Sequence, residues 1–178
     1  VCPSQFSTID TITVSTPANA GTISGSTPGC EGANGGTLIL GGFIGTVTGW
    51  EMSGDGGATW VAISNTTALQ TYSNLSDTTW FHAIVSNGVC ASDTSSPIVV
   101  IVYPKPVAGF TAPNTCFGTA TAFTNTSTVS AGGIQFNNWD FGNGNNSISV
   151  NPAFTYTVAD TFNVTLIATS NFGCSDTI

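Results

Sequence analysis

The chain has 178 residues, of which 40% are hydrophobic, only 6% charged, and its formal net charge is −8. Charged residues make up about 25% of an average globular domain, so hydration here falls to Thr, Ser, Asn and Gly, a palette of strands and turns. With Lys105 as its lone basic side chain, the chain cannot displace phosphate counterions along a nucleic acid or hold an anionic lipid surface. Its longest apolar run, Ile98-Val99-Val100-Ile101-Val102-Tyr103, is far shorter than the roughly 20 residues of a membrane-spanning helix. The composition predicts an all-β protein.

In chain order, the first feature is a repeat. Residues 1–14, VCPSQFSTIDTITV, resemble residues 89–102, VCASDTSSPIVVIV, at an offset of 89 − 1 = 88 residues. Such an offset suits a sandwich domain of about 100 residues. Residues 1–15 are accordingly expected to be the closing strand of a preceding repeat, with Cys2 equivalent to Cys90 and its partner upstream. The alternatives are a chance likeness in a biased sequence, and a free thiol at Cys2. Val1-Cys2-Pro3-Ser4 also shows no signal-peptide pattern, which fits an internal fragment or a processed mature protein.

Residues 16–103 then read as a string of short strands: Thr37–Leu40, Thr46–Met52, Thr59–Ile63, Leu69–Tyr72, Thr79–Val85 and Pro97–Tyr103. Ser86-Asn87-Gly88 is a hairpin signal. Tyr103-Pro104-Lys105-Pro106 marks a boundary, because two prolines stiffen the backbone and donate no ladder hydrogen bonds. Residues 104–106 are thus expected to form a short, semi-rigid linker. Residues 107–178 carry a second series: Val107–Phe110, Ala122–Ser127, Trp139–Gly144, Asn151–Tyr156 and Thr161–Leu166.

The five cysteines, Cys2, Cys30, Cys90, Cys116 and Cys174, are scattered, without Cys-x-x-Cys and without a neighbouring His. Zinc ligation is not expected. Wide spacing in a β-rich, charge-poor chain points to structural disulfides and an oxidising compartment.

Trp139-Asp140-Phe141-Gly142-Asn143-Gly144, Asn151-Pro152-Ala153-Phe154-Thr155-Tyr156 and Phe162-Asn163-Val164-Thr165-Leu166 together resemble the PKD (polycystic kidney disease) domain, over nearly all of 107–178. Two departures are Asn143, where the family pattern has a second Asp, and Phe154 in the usual His place. Gly49-Trp50-Glu51, Ser53, Asp55, Gly57, Thr59-Trp60 and Cys90 resemble an immunoglobulin-like repeat of Bacteroidota surface proteins. The resemblances imply two tandem β-sandwich modules, immunoglobulin-like then PKD. Trp50 between Cys30 and Cys90 echoes the Cys…Trp…Cys order of immunoglobulin domains, implying a Cys30–Cys90 bridge at one end of the sandwich. The PKD likeness implies Cys116–Cys174. Arrays of these modules occur in type IX-secreted adhesins, including those of gliding motility. The implied role is non-catalytic, adhesive or structural work at the cell surface. Neighbouring repeats are the expected partners, with a surface polysaccharide or protein as a ligand. The alternatives are an accessory spacer or polymer-binding region of a secreted hydrolase, and a subunit of an extracellular fibre.

Candidate sites are sparse. Ser53-Gly54-Asp55-Gly56-Gly57-Ala58-Thr59-Trp60 resembles the Asp-box hairpin of sialidase-like propellers, in which Asp55 would order a turn and Trp60 pack inward. Asp140, Asn143 and Asn145 offer oxygen ligands to Ca²⁺, although a good calcium loop has more than one carboxylate. The only His, His82, is expected on the solvent face of its strand by alternation. No nucleophilic triad or carboxylate pair is legible, so no catalytic residue is expected. Thr11, Thr78 and Thr177 lie in Asp-Thr-x sequences resembling Bacteroidota O-glycosylation acceptors. Asn65, Asn74, Asn125, Asn145 and Asn163 begin N-x-Ser/Thr sequons that a bacterial protein would leave unused.

Overall fold

The computed structural model describes residues 12–178. Cys2, Thr11 and most of the expected closing strand 1–15 lie outside the described residues. The described chain is built from short strands, as β-branched and aromatic runs separated by Gly, Asn and Ser turns dictate. They form two successive β-sandwiches. Among the described residues no helix is long and apolar enough to cross a membrane.

In the first sandwich one sheet joins β1 (Thr22–Ser24), β3 (Gly35–Gly41) and β6 (Leu69–Ser73), all antiparallel. The facing sheet places β5 (Val61–Ile63), β4 (Thr46–Ser53), β7 (Thr79–Ser86) and β8 (Asp93–Thr94) side by side, and β9 (Ile98–Val100) also pairs with β7. Leu38 and Leu40 of β3 are buried while Thr37 and Ile39 are exposed, the period of two that a half-buried strand requires. Leu38, Trp50, Phe81, Ala83, Val85 and Val100 fill the core. Trp50 is wholly buried, and its indole N–H donates to the Thr67 carbonyl at 2.9 Å.

The apolar run 98–103 is not one strand. It breaks at Ile101, whose carbonyl accepts from Gly29 N–H at 3.1 Å. Beyond the break, β10 (Val102–Tyr103) leaves the sheet to pair in parallel with β2 (Gly29–Cys30). This switch holds the β1–β3 loop, and Cys30 with it, beside the point where the chain leaves the first sandwich.

The second sandwich repeats the plan. β11 (Phe110–Thr111) pairs with β13 (Thr124–Asn125), and β12 (Thr121–Ala122) pairs with β16 (Ala153–Phe154). The facing sheet has the order β15 (Asn146–Ser147), β14 (Ile134–Asp140), β17 (Thr165–Ser170), β18 (Ser175–Thr177). Trp139 is again wholly buried on the central strand, its N–H bonded to the Ser149 carbonyl at 2.9 Å. Trp139 lies one residue before the end of this strand rather than opening one, because Gly142 and Gly144 turn the chain just beyond it. Phe154 stacks on Phe141 at 4.4 Å, and the Tyr156 hydroxyl donates to the Phe141 carbonyl at 3.0 Å. An aromatic at the family's His place therefore extends the core.

The disulfides differ from the expectation. Cys30 is bonded to Cys174, across the two sandwiches, and among the described residues Cys90 and Cys116 are unbridged. Cys30 sits where the chain leaves the first sandwich, whereas Cys90 lies in the β7–β8 turn beside Ser15, where the chain enters it. The eight residues of β7 separate those ends by roughly 25 Å. A disulfide needs Cα atoms within about 7 Å. Cys116 and Cys174 are parted in the same way, the first in the β11–β12 loop and the second in the β17–β18 turn at the junction.

Candidate functional site

The junction between the sandwiches is the most elaborately built place in the molecule. Cys30 begins a turn in which Ala33 N–H donates to the Cys30 carbonyl at 2.9 Å and Gly32 has φ +66°. Positive φ at the third position is the requirement of a type II turn, which Gly meets without strain. The Asn34 amide donates to the carbonyls of Cys30 (2.9 Å) and Leu75 (2.7 Å) and accepts from Leu75 N–H. These hydrogen bonds anchor the Cys30 backbone on the side of the first sandwich.

From the other side, the β17–β18 turn presents Phe172 and Cys174. Phe172 stacks on Tyr103 at 4.3 Å with rings within 6° of parallel. Asp176 accepts from Ala108 N–H at 2.9 Å and pairs with Lys105 Nζ at 2.9 Å. The Ala108 hydrogen bond and then the Lys105 ammonium hold the Asp176 carboxyl below its ordinary value. Pro106 is buried within this linker. A covalent bond, an aromatic stack, an ion pair and a buried linker proline together join one sandwich to the other.

Beside the junction runs an open groove of about 450 Å³, lined by Glu31, Asp77, Trp80, Pro104 and Ser130 among others. Trp80 is half-buried there, while Trp139 is enclosed in its core. The Thr78 side chain accepts from Val102 N–H at 3.0 Å, so its hydroxyl is engaged in the fold. Thr177 is exposed on β18.

The Asp-box turn is ordered by its own side chains. Asp55 accepts from Thr59 N–H (2.9 Å), the Thr59 hydroxyl (2.6 Å) and the Ser53 hydroxyl (2.7 Å). The Thr59 contacts lead in holding the Asp55 carboxyl well below the usual carboxylate range. Trp60 does not pack inward as expected. It lies on the outer face, stacked on the His82 ring at 3.8 Å. His82 is on the non-core face that alternation predicts, yet Trp60 covers it and leaves it 9% exposed. Its Nε2 is 2.6 Å from Glu51 Oε2, the residue directly across the strand pair.

The Asp140 and Asn143 side-chain oxygens accept from Gly142 N–H (2.8 Å) and Asn145 N–H (3.2 Å). They close their own turn, and among the described residues no group of three His, Cys, Asp or Glu is placed to hold a metal.

The role of Lys105, Tyr103, Phe172 and Asp176 in the junction was not foreseen from the sequence. A signal existed: Ser86-Asn87-Gly88-Val89-Cys90 with Asp93-Thr94 parallels Ser170-Asn171-Phe172-Gly173-Cys174 with Asp176-Thr177. This likeness makes Cys90 the counterpart of Cys174 and not the mate of Cys30.

These features define a tandem β-sandwich chain with a locked junction. Residues 103–178 match the PKD domain family, and residues 19–104 match a domain of unknown function (DUF8696). The pre-pro-metalloprotease PrtV, from two strains of Vibrio cholerae serotype O1, is 47% identical over 53 residues. That match covers 30% of this chain and 6% of the relative, so the chain spans a small fraction of the curated proteins it resembles. Among solved structures, the fibronectin(III)-like modules of Clostridium thermocellum CbhA align with 14% identity over 88% of this chain and 91% of that one, at a TM-score of 0.39. The N-terminal four Ig domains of Dscam1 isoform 6.9 align with 13% identity over 96% and 46%, at 0.43.

Proposed function

We propose that this chain is a non-catalytic stretch of an extracellular modular array, whose work is to hold successive sandwiches in a set direction and present their surfaces. The Cys30–Cys174 bond carries this reading, because a disulfide between modules does nothing for either core and everything for their relative orientation. Disulfides persist in oxidising compartments, which favours an extracellular setting. Surface adhesion in the manner of Bacteroidota type IX-secreted proteins is the finer form of this proposal, with a surface polysaccharide or protein as ligand. O-glycosylation at Thr177 and Thr11 belongs to the same setting.

The stiffness is tested by small-angle scattering of the chain before and after reduction. A narrow distribution of dimensions that broadens on reduction is expected. An oxidised chain as variable as the reduced one would sink the proposal.

The likeness to a pre-pro-metalloprotease favours one second reading, an accessory region of a secreted protease. Deleting the two modules from the native protein separates the two. Loss of attachment to surfaces with proteolysis unchanged supports the array, and altered proteolysis of large substrates supports the accessory region.

A further inference from the structure

Cys90 and Cys116 are each built like one half of the bridge that has formed. At the formed junction, Cys174 Sγ lies 3.9 Å from the Tyr103 carbonyl of the entering chain, and Asp176 accepts from Ala108 N–H at 2.9 Å. At the entry to the first sandwich, Cys90 Sγ lies 3.6 Å from the Ser15 carbonyl, and Asp93 accepts from Ala20 N–H at 2.8 Å. Asn87 further ties the turn to Thr16 by bonds of 2.9 and 3.0 Å. Gly88 permits this approach, since a Cβ there would stand 2.5 Å from Ser15 Oγ. The entering segment is therefore seated at Cys90 as it is at Cys174.

Cys116 in turn matches Cys30. Cys30-Glu31-Gly32-Ala33 and Cys116-Phe117-Gly118-Thr119 both close with a bond from the fourth N–H to the cysteine carbonyl, at 2.9 and 3.0 Å. Gly32 and Gly118 both have positive φ, +66° and +80°. The first turn leads from β2 to β3, and the second lies between β11 and β12, so both fall early in their sandwiches. The neighbours of the unbridged thiols are apolar and uncovered: Phe117 is 68% and Val89 92% exposed. At the formed junction, Phe172, two residues before Cys174, is stacked on Tyr103.

Resting on the array reading, we infer that Cys90 and Cys116 form further disulfides of the Cys30–Cys174 type with other sandwich modules. Cys90 takes the Cys-x-Gly loop cysteine of a module on the entry side, and Cys116 takes the turn cysteine of a module on the far side. Each bond forms from two thiols with loss of two protons and two electrons. A small-molecule disulfide such as oxidised glutathione accepts these by thiol–disulfide exchange and leaves as two thiols. The partner module is supplied either by an adjoining part of a longer chain or by a second copy, in which Cys116 of one copy meets Cys90 of the next.

The test is non-reducing peptide mapping of the native protein, isolated in iodoacetamide so that free thiols are alkylated. Cys30 is expected joined to Cys174, with Cys90 and Cys116 unalkylated. The Cys90 partner should lie in a Cys-x-Gly turn, and the Cys116 partner in a turn followed within three residues by Asp-Thr. A partner peptide foreign to this sequence identifies an adjoining module. A Cys90–Cys116 link in a species that migrates as a multimer without reductant identifies a second copy. Alkylated Cys90 or Cys116, a Cys90–Cys2 link, or a Cys90–Cys116 link within a monomer overturns the inference while leaving the locked junction intact. Absence of the Cys30–Cys174 link overturns both.

Discussion

Ser170 Oγ is fully buried at the end of β17 and has no hydrogen-bond partner among the described residues. A hydroxyl left dry and unpaired costs about 1–3 kcal/mol relative to its hydrated state. Ser170→Ala is therefore expected to leave stability unchanged or raise it by about 1 kcal/mol, read as the midpoint of denaturant unfolding. Asp55 is the opposite case, a carboxylate with every contact made by its own turn. Its folded value lies below the ordinary one, so it stabilises the fold fully above the ordinary value of about 4. That contribution is lost as pH falls from there through the folded value. Asp55→Asn should lower the thermal midpoint at neutral pH and flatten its decline in acid. An acid limb as steep as that of the parent chain would count against this account.

At the scale of the element, each sandwich hangs on one buried tryptophan, Trp50 on β4 and Trp139 on β14. Trp50 and Trp139 are wholly enclosed, and both indole N–H groups reach a backbone carbonyl, so neither leaves a polar atom unsatisfied. Truncation of such a side chain costs about 3–5 kcal/mol. Trp139→Ala should unfold or severely weaken the second sandwich while the first keeps its own cooperative transition, as calorimetry would show. Trp60 invites the contrary expectation. It lies on the outer face over His82, and Trp60→Ala should cost about 1–2 kcal/mol without unfolding the sandwich, because no core position is emptied.

For the molecule as a whole, the bond that matters closes a separation of 144 residues. The loop-entropy estimate for such a closure is about 5 kcal/mol as an upper figure. Because the bond spans two cores, its loss should appear mainly in how the sandwiches sit together. Cys174→Ser is expected to split one calorimetric transition into two while changing the individual modules little. Asp176→Asn should loosen the same junction by at most about 1 kcal/mol, since its Lys105 pair is half in solvent.

Much of this architecture was legible in the chain itself. Scarcity of charge, alternation along strands such as 35–41, turn residues at Gly54–Gly57 and Asn87-Gly88, and the Trp139–Gly144 motif all act within a few residues, where backbone sterics and side-chain burial decide the outcome. The Cys30–Cys90 and Cys116–Cys174 pairings fail for a reason of a different kind. Strand direction places the two cysteines of each sandwich at its opposite ends, and only the assembled sheets show which ends meet. The inward placing of Trp60 fails likewise, because a ring leaving a turn can cover either face, and His82 with Glu51 offers a platform that local alternation does not reveal. Composition and short-range pattern thus determined that the chain folds as tandem sandwiches. The tertiary structure alone decided which thiols lie within bonding distance, since that distance depends on how whole strands run and not on residues near one another in the chain.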